Sequence, residues 1–361
     1  MNVLVVLNCK GPFSVYEAQI EMISSLKDKG VQIFVTGFYS DQIISVFKER
    51  NIDFATLHPK SKIDPTYIKE IKQHITDKNI DILHVLDGKA LRNCIRAVKN
   101  DNIKLITYFG SASLHWHDLS SYLTYLNSRV DKIICNSQYV FDHVKKQLFG
   151  KNKNKPIKIF KGYNPNWFNH ITPFDLTSLG IPKESIVVTF AGTNMKLKRI
   201  PDFIKSSHYL STDKNVHYII MGKETDKGNL EKYKNLSPIK ENIHILGLQP
   251  NAVSIIKASD IYVQTSTSEG FGRAISEAMS VGKPVVMTNA GGCTELVDIE
   301  SGVIVPVGDY KAIGKEISKI VNNDVLRLQM GQKAKERMSN LYHIDNTVKE
   351  TYKLYVDILT T

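Results

Sequence analysis

The sequence predicts an α/β protein built from two doubly wound parallel-sheet domains. Its 361 residues exceed what one hydrophobic core normally organises. Short continuous apolar runs alternate with amphipathic stretches, the pattern of strands covered by helices on both faces. That alternation breaks between about residues 162 and 184, where G-Y-N-P-N-W-F-N, I-T-P-F and G-I-P-K read as an interdomain connection. The expected division is a first domain over residues 1–165, a linker over 166–185, a second domain over 186–342, and a C-terminal helix over 343–361 that packs back on the first domain.

Val3-Leu4-Val5-Val6-Leu7 is the first strand. Val15, Ala18, Ile20, Met22, Ile23 and Leu26 line one side of the helix that follows, and Gly30 ends it. Further strands are expected over residues 31–35, 81–86, 104–108 and 132–135, with helical segments between them. A second series runs over 186–190, 216–221, 243–246, 261–264 and 284–287, and helices over roughly 310–321, 325–342 and 344–359 close the chain. Two such sheets place the carboxyl ends of their strands, where ligands bind, around a shared cleft.

A hydrophobic content of 42% with 23% charged residues excludes a disordered or collagenous chain. The net charge of +11 is uneven: residues 1–170 carry 24 Lys and Arg against 15 Asp and Glu, whereas residues 171–361 carry 23 against 21. Only 8 of the 47 basic residues are Arg, which disfavours a base-reading role because Arg supplies the planar bidentate fork. A nucleic-acid-binding protein is thus a rival resting on charge alone, without basic–aromatic interleaving or a reader motif, and no nucleic-acid partner is expected. The first apolar run is too short for a signal peptide, and no run approaches the length of a membrane span, so a cytoplasmic protein is expected. Cys9, Cys94, Cys135 and Cys293 are scattered and lie in or beside apolar stretches, which reads as reduced core thiols.

The most informative stretch runs from Asp260 to Gly292. A strand ends near Gln264, a polar loop carries Glu269-Gly270-Phe271-Gly272, and a helix opens around Arg273. Gly270 and Gly272 let the backbone approach a ligand, and free N–H groups at the helix start suit phosphate oxygens. Glu277, one turn into the helix, is placed to accept from vicinal hydroxyls such as those of a ribose. Fifteen glutamates make a chance Glu pair eight apart an ordinary event, so the context carries the reading. Upstream, F-A-G-T-N-M-K-L-K-R offers Lys196, Lys198 and Arg199. No D-x-D and no Walker A sequence occurs, so no metal and no cofactor is expected.

Glu269 and Glu277 with Gly270-Phe271-Gly272 between them, then Gly282-Lys283-Pro284-Val285-Val286 and Gly291-Gly292-x-x-Glu295, resemble the GT-B retaining glycosyltransferases of family 4 and their E-x7-E motif. The resemblance is close from about Ile186 to Asp309 and looser before it. It implies a GT-B fold and a metal-independent transfer of a hexose from a nucleotide sugar, most often a UDP-sugar, to a glycan or lipid-linked acceptor. It implies that Glu277 holds the ribose, and that Glu269 and the backbone after it contact donor sugar and diphosphate. Lys198 falls at the family's Lys position. Thr193 stands where the family has an Arg, a charge that Lys196 or Arg199 would have to replace. Gly247, in Leu246-Gly247-Leu248, occupies the base-contacting loop. Front-face departure and attack, with a donor phosphate helping to deprotonate the acceptor, is the implied mechanism.

The first half matches less well. Of the family's paired glycines after the first strand, only Gly11 remains, and Phe109-Gly110-Ser111 replaces its sugar-facing His. His115 and His117 lie just beyond and are candidate substitutes, with surface or packing roles as the alternative. Between residues 142 and 175 no acidic residue interrupts Lys145, Lys146, Lys151, Lys153, Lys155, Lys158 and Lys161. This 145–161 lysine cluster is either a solvated loop or a surface for anionic lipid on the cytoplasmic face of a bacterial inner membrane. The rival enzyme classes are a GT-B nucleotide-sugar epimerase and a two-carboxylate glycosidase. The second has no use for a diphosphate seat.

Overall fold

Strands buried on both faces need no polar alternation, and the apolar runs form two wholly parallel sheets in the computed structural model, which describes residues 1–360. The chain divides into two units. The first comprises Met1–Gly162 and the C-terminal helix, and the second Tyr163–His343.

The first unit alternates β1 (Asn2–Val6), α1 (Phe13–Asp28), β2 (Gln32–Gly37), α2 (Asp41–Glu49), β3 (Asp53–Thr56), α3 (Pro65–Asp77), β4 (Ile82–Val85), α4 (Gly88–Ala97), β5 (Lys104–Phe109), β6 (Lys132–Cys135), α5 (Gln138–Lys146) and β7 (Pro156–Lys158). Its sheet order is β3-β2-β1-β4-β5-β6-β7, so the winding reverses between β1 and β4. Asp64, Asp87 and Ser137 cap α3, α4 and α5 by accepting backbone N–H groups of the first turn. Gly30 takes a left-handed φ of 85° after α1.

The second unit runs β8 (Ile186–Ala191), α6 (Ile200–Ser206), β9 (Val216–Met221), α7 (Leu230–Asn235), β10 (Ile243–Ile245), α8 (Ala252–Ala258), β11 (Ile261–Gln264), α9 (Arg273–Ser280), β12 (Val285–Thr288), β13 (Gly302–Val305), α10 (Tyr310–Val321) and α11 (Asp324–Asn340). Its order, β10-β9-β8-β11-β12-β13, reverses between β8 and β11. Phe203 stacks on Tyr218 at 4.3 Å between ring centroids in a core shared by α6, α10 and the sheet. The last helix, α12 (Ile344–Thr360), lies against α1 in the first unit.

Three strands escape the sequence pattern: β3, β7 and β13. All are sheet edges, where one side is solvated and the apolar run shortens. The 166–185 segment, expected as a linker, belongs to the second unit. Lys257 Nζ donates to the carbonyls of Phe168 and Ile171 at 2.9 Å, and Phe174 N donates to Ser254 O at 3.0 Å. Phe168 and Ile181 are buried there, so its Gly, Pro and Asn residues make turns on a packed surface. Among the described residues, no helix is long and apolar enough to cross a membrane. All four cysteines are buried free thiols.

Candidate active site

The loops after β8, β11 and β12 meet at the carboxyl edge of the second sheet, where its strand order reverses. A parallel sheet has a crevice for ligands at that point. Thr265 ties the first two loops together, its hydroxyl donating to Lys198 O at 2.8 Å and Arg199 O at 3.0 Å. Thr267 N donates to Leu197 O at 2.8 Å. The third loop joins through a short parallel bridge, with Glu269 N to Ala290 O at 2.6 Å and Gly292 N to Glu269 O at 3.0 Å.

This framework brings the Lys198 ammonium into an ion pair with the Glu269 carboxylate. The two side chains are 20% and 14% exposed, enough for a ligand to reach both. Ser266 Oγ donates to the same Glu269 oxygen at 2.8 Å. Behind it, Gln264 Nε2 donates to Ser266 Oγ and Tyr262 OH donates to Gln264 Oε1, each at 2.8 Å. Glu269 thus ends a buried hydrogen-bonded row. Burial, reinforced by the negative charge of Glu269, pushes the Tyr262 phenol well above its ordinary pKa, so it remains a donor.

Gly272 precedes α9 with φ 92°. A Cβ there would stand 2.9 Å from Ile275 Cδ1 and 3.2 Å from Cys293 Cβ, so only glycine lets the loop turn into the helix at this point. Glu277 is buried within α9, and Arg273, one turn earlier, approaches it at 3.5 Å. Arg273 is itself about half exposed. Gly270 is partly exposed beside Glu269. Phe271 turns inward, edge-on to Tyr342 at 5.6 Å, so its side chain anchors the loop and only its backbone is available to a ligand.

Thr193 and Lys196 both lie in the loop after β8, Thr193 partly buried and Lys196 exposed. Arg199 is held by Asp202 at 2.5 Å, which leaves Lys196 and Lys198 as the cations of that loop not committed to its own helix. Gly247 takes φ 69° after β10, and its carbonyl accepts from Gly222 N at 2.8 Å. Gly222 is a residue the sequence reading passes over: a Cβ there would lie 2.0 Å from Gly192 O, so the edges of β8, β9 and β10 close on it. Tyr262, Gln264 and Ser266 are also missed as supports. Their spacing of two, which puts all three on one face of an extended segment, is the signal that could have found them.

The remaining candidates belong to the first unit. Gly11 follows β1, and a Cβ there would make only ordinary contact with the Tyr16 ring, so no steric need holds it. His115 and His117 are exposed, stacked at 5.2 Å. Lys155 is not a surface charge. It is buried, its Nζ donates to Asn127 O at 3.0 Å and Ser128 O at 2.9 Å, and desolvation lowers its pKa. Lys145, Lys146, Lys151, Lys153 and Lys158 are exposed and Lys161 half-buried. Among the described residues, no three His, Cys, Asp or Glu side chains gather as a metal site.

Two wholly parallel doubly wound units of this order define the GT-B class of proteins, and solved structures of that class superpose along the whole chain. Anabaena HepE, solved with UDP, matches 99% of this chain and 100% of its own at a TM-score of 0.81 and 18% identity. A glycosyltransferase from Rickettsia africae covers 99% and 98% at 0.80 and 20%. Residues 172–337 match the model described as "Glycosyl transferases group 1", and the chain as a whole has the GT-B fold. N-acetyl-alpha-D-glucosaminyl L-malate synthase of Bacillus anthracis is 25% identical over 191 residues, 51% of this chain and 50% of the relative. The capsular polysaccharide glycosyltransferase CapM of Staphylococcus aureus is 26% identical over 175 residues, 48% and 46% respectively. The chain therefore spans about half the length of these curated relatives.

Proposed function

We propose that the protein is a retaining transferase that moves a hexose from a nucleoside-diphosphate sugar, foremost a UDP-sugar, to a glycan or lipid-linked acceptor in bacterial surface-polysaccharide or lipopolysaccharide synthesis. The observation that carries this reading is the Lys198–Glu269 pair set beside the Gly270–Gly272 turn and the buried Glu277 on α9. A donor diphosphate laid across the start of α9 takes Lys198 as counter-ion, and α9 N–H groups meet its oxygens. Charge grows on that diphosphate as the sugar leaves, so the ammonium stabilises the transition state more than the ground state. Glu269, freed from Lys198 and still held by Ser266, positions the sugar. Glu277 receives the ribose hydroxyls. CapM of S. aureus, named for capsular polysaccharide, and LpsE of Rhizobium meliloti, named for lipopolysaccharide core synthesis, support the surface-glycan assignment.

The same reading places the acceptor side on an anionic membrane. Trp116, Leu119 and Phe149 are 53%, 81% and 59% exposed, Trp116 and Phe149 meet edge-on at 6.2 Å, and exposed Lys145, Lys146, Lys151 and Lys153 lie in the same stretch of chain as Phe149. Aromatic insertion with lysine attraction is the usual composition of such a surface.

Melting the protein with UDP, GDP and ADP and their glucose conjugates tests the donor, because a ligand that binds only the folded state raises Tm. A UDP-selective rise that Glu277→Ala abolishes is the expected result. Incubation with radiolabelled UDP-sugar and no acceptor then separates the epimerase, which would return an epimerised sugar.

A further inference from the structure

Arg199 directly follows Lys198, and its backbone is left-handed, with φ 48° and ψ 41°. It ends the short helical turn Lys196–Lys198 and opens α6 at once, so a single residue links the two. Glycine takes this conformation freely, whereas a residue with a Cβ takes it at a cost. An arginine persists there where its surroundings hold it.

Three neighbours do so. Arg199 Nε donates to Asp202 Oδ2 at 2.5 Å while Asp202 N donates back to Arg199 O at 2.8 Å, which closes a ring across the first turn of α6. Asp202 is itself buried. Thr265, just after β11, shares its hydroxyl between Arg199 O at 3.0 Å and Lys198 O at 2.8 Å. The tip of the guanidinium lies against Gly308, between β13 and α10, where a Cβ would stand 3.2 Å from Nη2. Arg199 therefore touches three loops of the second unit at once.

The consequence falls on Lys198, whose ammonium pairs with Glu269. A lysine ammonium sits on a flexible four-carbon stem, so it keeps one partner when the backbone at its base is fixed. We infer that Arg199 is a positioning residue: anchored by Asp202, it holds the left-handed link that aims Lys198 at Glu269, and it delivers no charge to a ligand itself. What that aim serves rests on the proposed function, but the aim itself can be measured without a substrate. The competing role for Arg199 is a second phosphate-binding cation, and the two roles answer differently to glycine.

Three single variants of the full chain separate them. Arg199→Ala removes the guanidinium and keeps the backbone cost, Arg199→Gly removes both, and Asp202→Ala removes the anchor and keeps the charge. Limited lysine acetylation read by peptide mass spectrometry, with Lys196 of the same loop as reference, reports whether the Lys198 amine is held. Modification of Lys198 should be about tenfold faster in Arg199→Ala and Asp202→Ala, as for an amine released from a charge-assisted hydrogen bond, and should return to within about threefold of the unaltered protein in Arg199→Gly. With a UDP-sugar turned over, kcat should fall about tenfold in Arg199→Ala and be partly restored in Arg199→Gly, the UDP-induced rise in Tm being kept in both. Tm itself reports folding, and if Asp202→Ala does not fold, the two Arg199 variants decide. Equal acceleration of Lys198 labelling in Arg199→Ala and Arg199→Gly, no acceleration in Arg199→Ala or in a folded Asp202→Ala, or loss of the UDP-induced rise in both Arg199 variants each overturns the inference. Absence of turnover in the unaltered protein would count against the transferase reading and leave the labelling result standing.

Discussion

Lys198 and Glu269, 71 positions apart in sequence, form an ion pair at the carboxyl edge of the second sheet, and Ser266 donates to the same carboxylate oxygen. On the proposed function the pair is a resting state for two groups that separate tasks when a donor diphosphate arrives: the cation would follow the phosphate and the carboxylate would stay with serine.

That separation predicts an unequal effect of Lys198→Met. An interaction that strengthens as charge develops lowers kcat, so turnover should drop about 100-fold while affinity for UDP falls much less. Steady-state kinetics alongside UDP titration checks it. Equal losses in both would make Lys198 a ground-state binder.

Gln264 touches no ligand in this arrangement but connects Tyr262 to Ser266 at 2.8 Å on each side. Gln264→Leu keeps the bulk and removes the amide that holds Ser266 Oγ from behind, leaving Ser266 bonded to Glu269 and Tyr262 bonded to Ala191 O, so the stability cost should be that of ordinary hydrogen bonds, roughly 1 kcal/mol. The expected signature of a positioning residue is a fall of about tenfold in kcat with UDP affinity intact, and no rescue in Gln264→Glu, whose carboxylate accepts from Tyr262 but cannot donate to Ser266. Reduced UDP binding in step with kcat would indicate general loosening of the loop instead.

The buried His84 makes stability depend on pH. Its pKa falls from an ordinary 6.5 to about 4 because burial disfavours the cation. Below pH 6.5 the unfolded chain takes up a proton that the folded chain refuses, so the stability present above pH 6.5 is lost progressively toward pH 4. The full difference is about 3 kcal/mol at 1.36 kcal/mol per pKa unit. Tm measured from pH 7.5 to 4.5 should fall less steeply in His84→Phe than in the unaltered protein. Parallel curves would remove His84 as the cause.

The central strands were legible because each is an unbroken apolar run, and the end of β11 with the start of α9 was legible because Glu269, Gly270, Gly272 and Glu277 keep one short spacing. Lys198 was legible as a cation in the loop after β8, but its pairing with Glu269 was not, since it depends on β8 and β11 being neighbours across the winding reversal. Edge strands β3 and β7 were hidden for the opposite reason, having half-solvated, partly charged sequence. Lys155 shows the limit of reading charge by composition: seven lysines look alike in a run, and only the three-dimensional path of the chain puts two carbonyls within reach of this one.

The difference among those lysines gives the membrane reading a sharp test. Lys151 and Lys153 are exposed, so Lys151→Glu with Lys153→Glu should leave Tm within about 1 °C. The same pair should release the protein from vesicles containing anionic lipid, since each lysine near the surface contributes about 1 kcal/mol and reversal doubles the change. Lys155→Glu should do the reverse. It buries a carboxylate against the carbonyls of Asn127 and Ser128, where like partial charges face each other, and should lower Tm or prevent folding without a specific effect on vesicle binding by whatever folds. Sedimentation with phosphatidylglycerol vesicles and with neutral phosphatidylcholine vesicles separates the two. Undiminished sedimentation of the Lys151/Lys153 variant would leave the basic stretch a solvated loop.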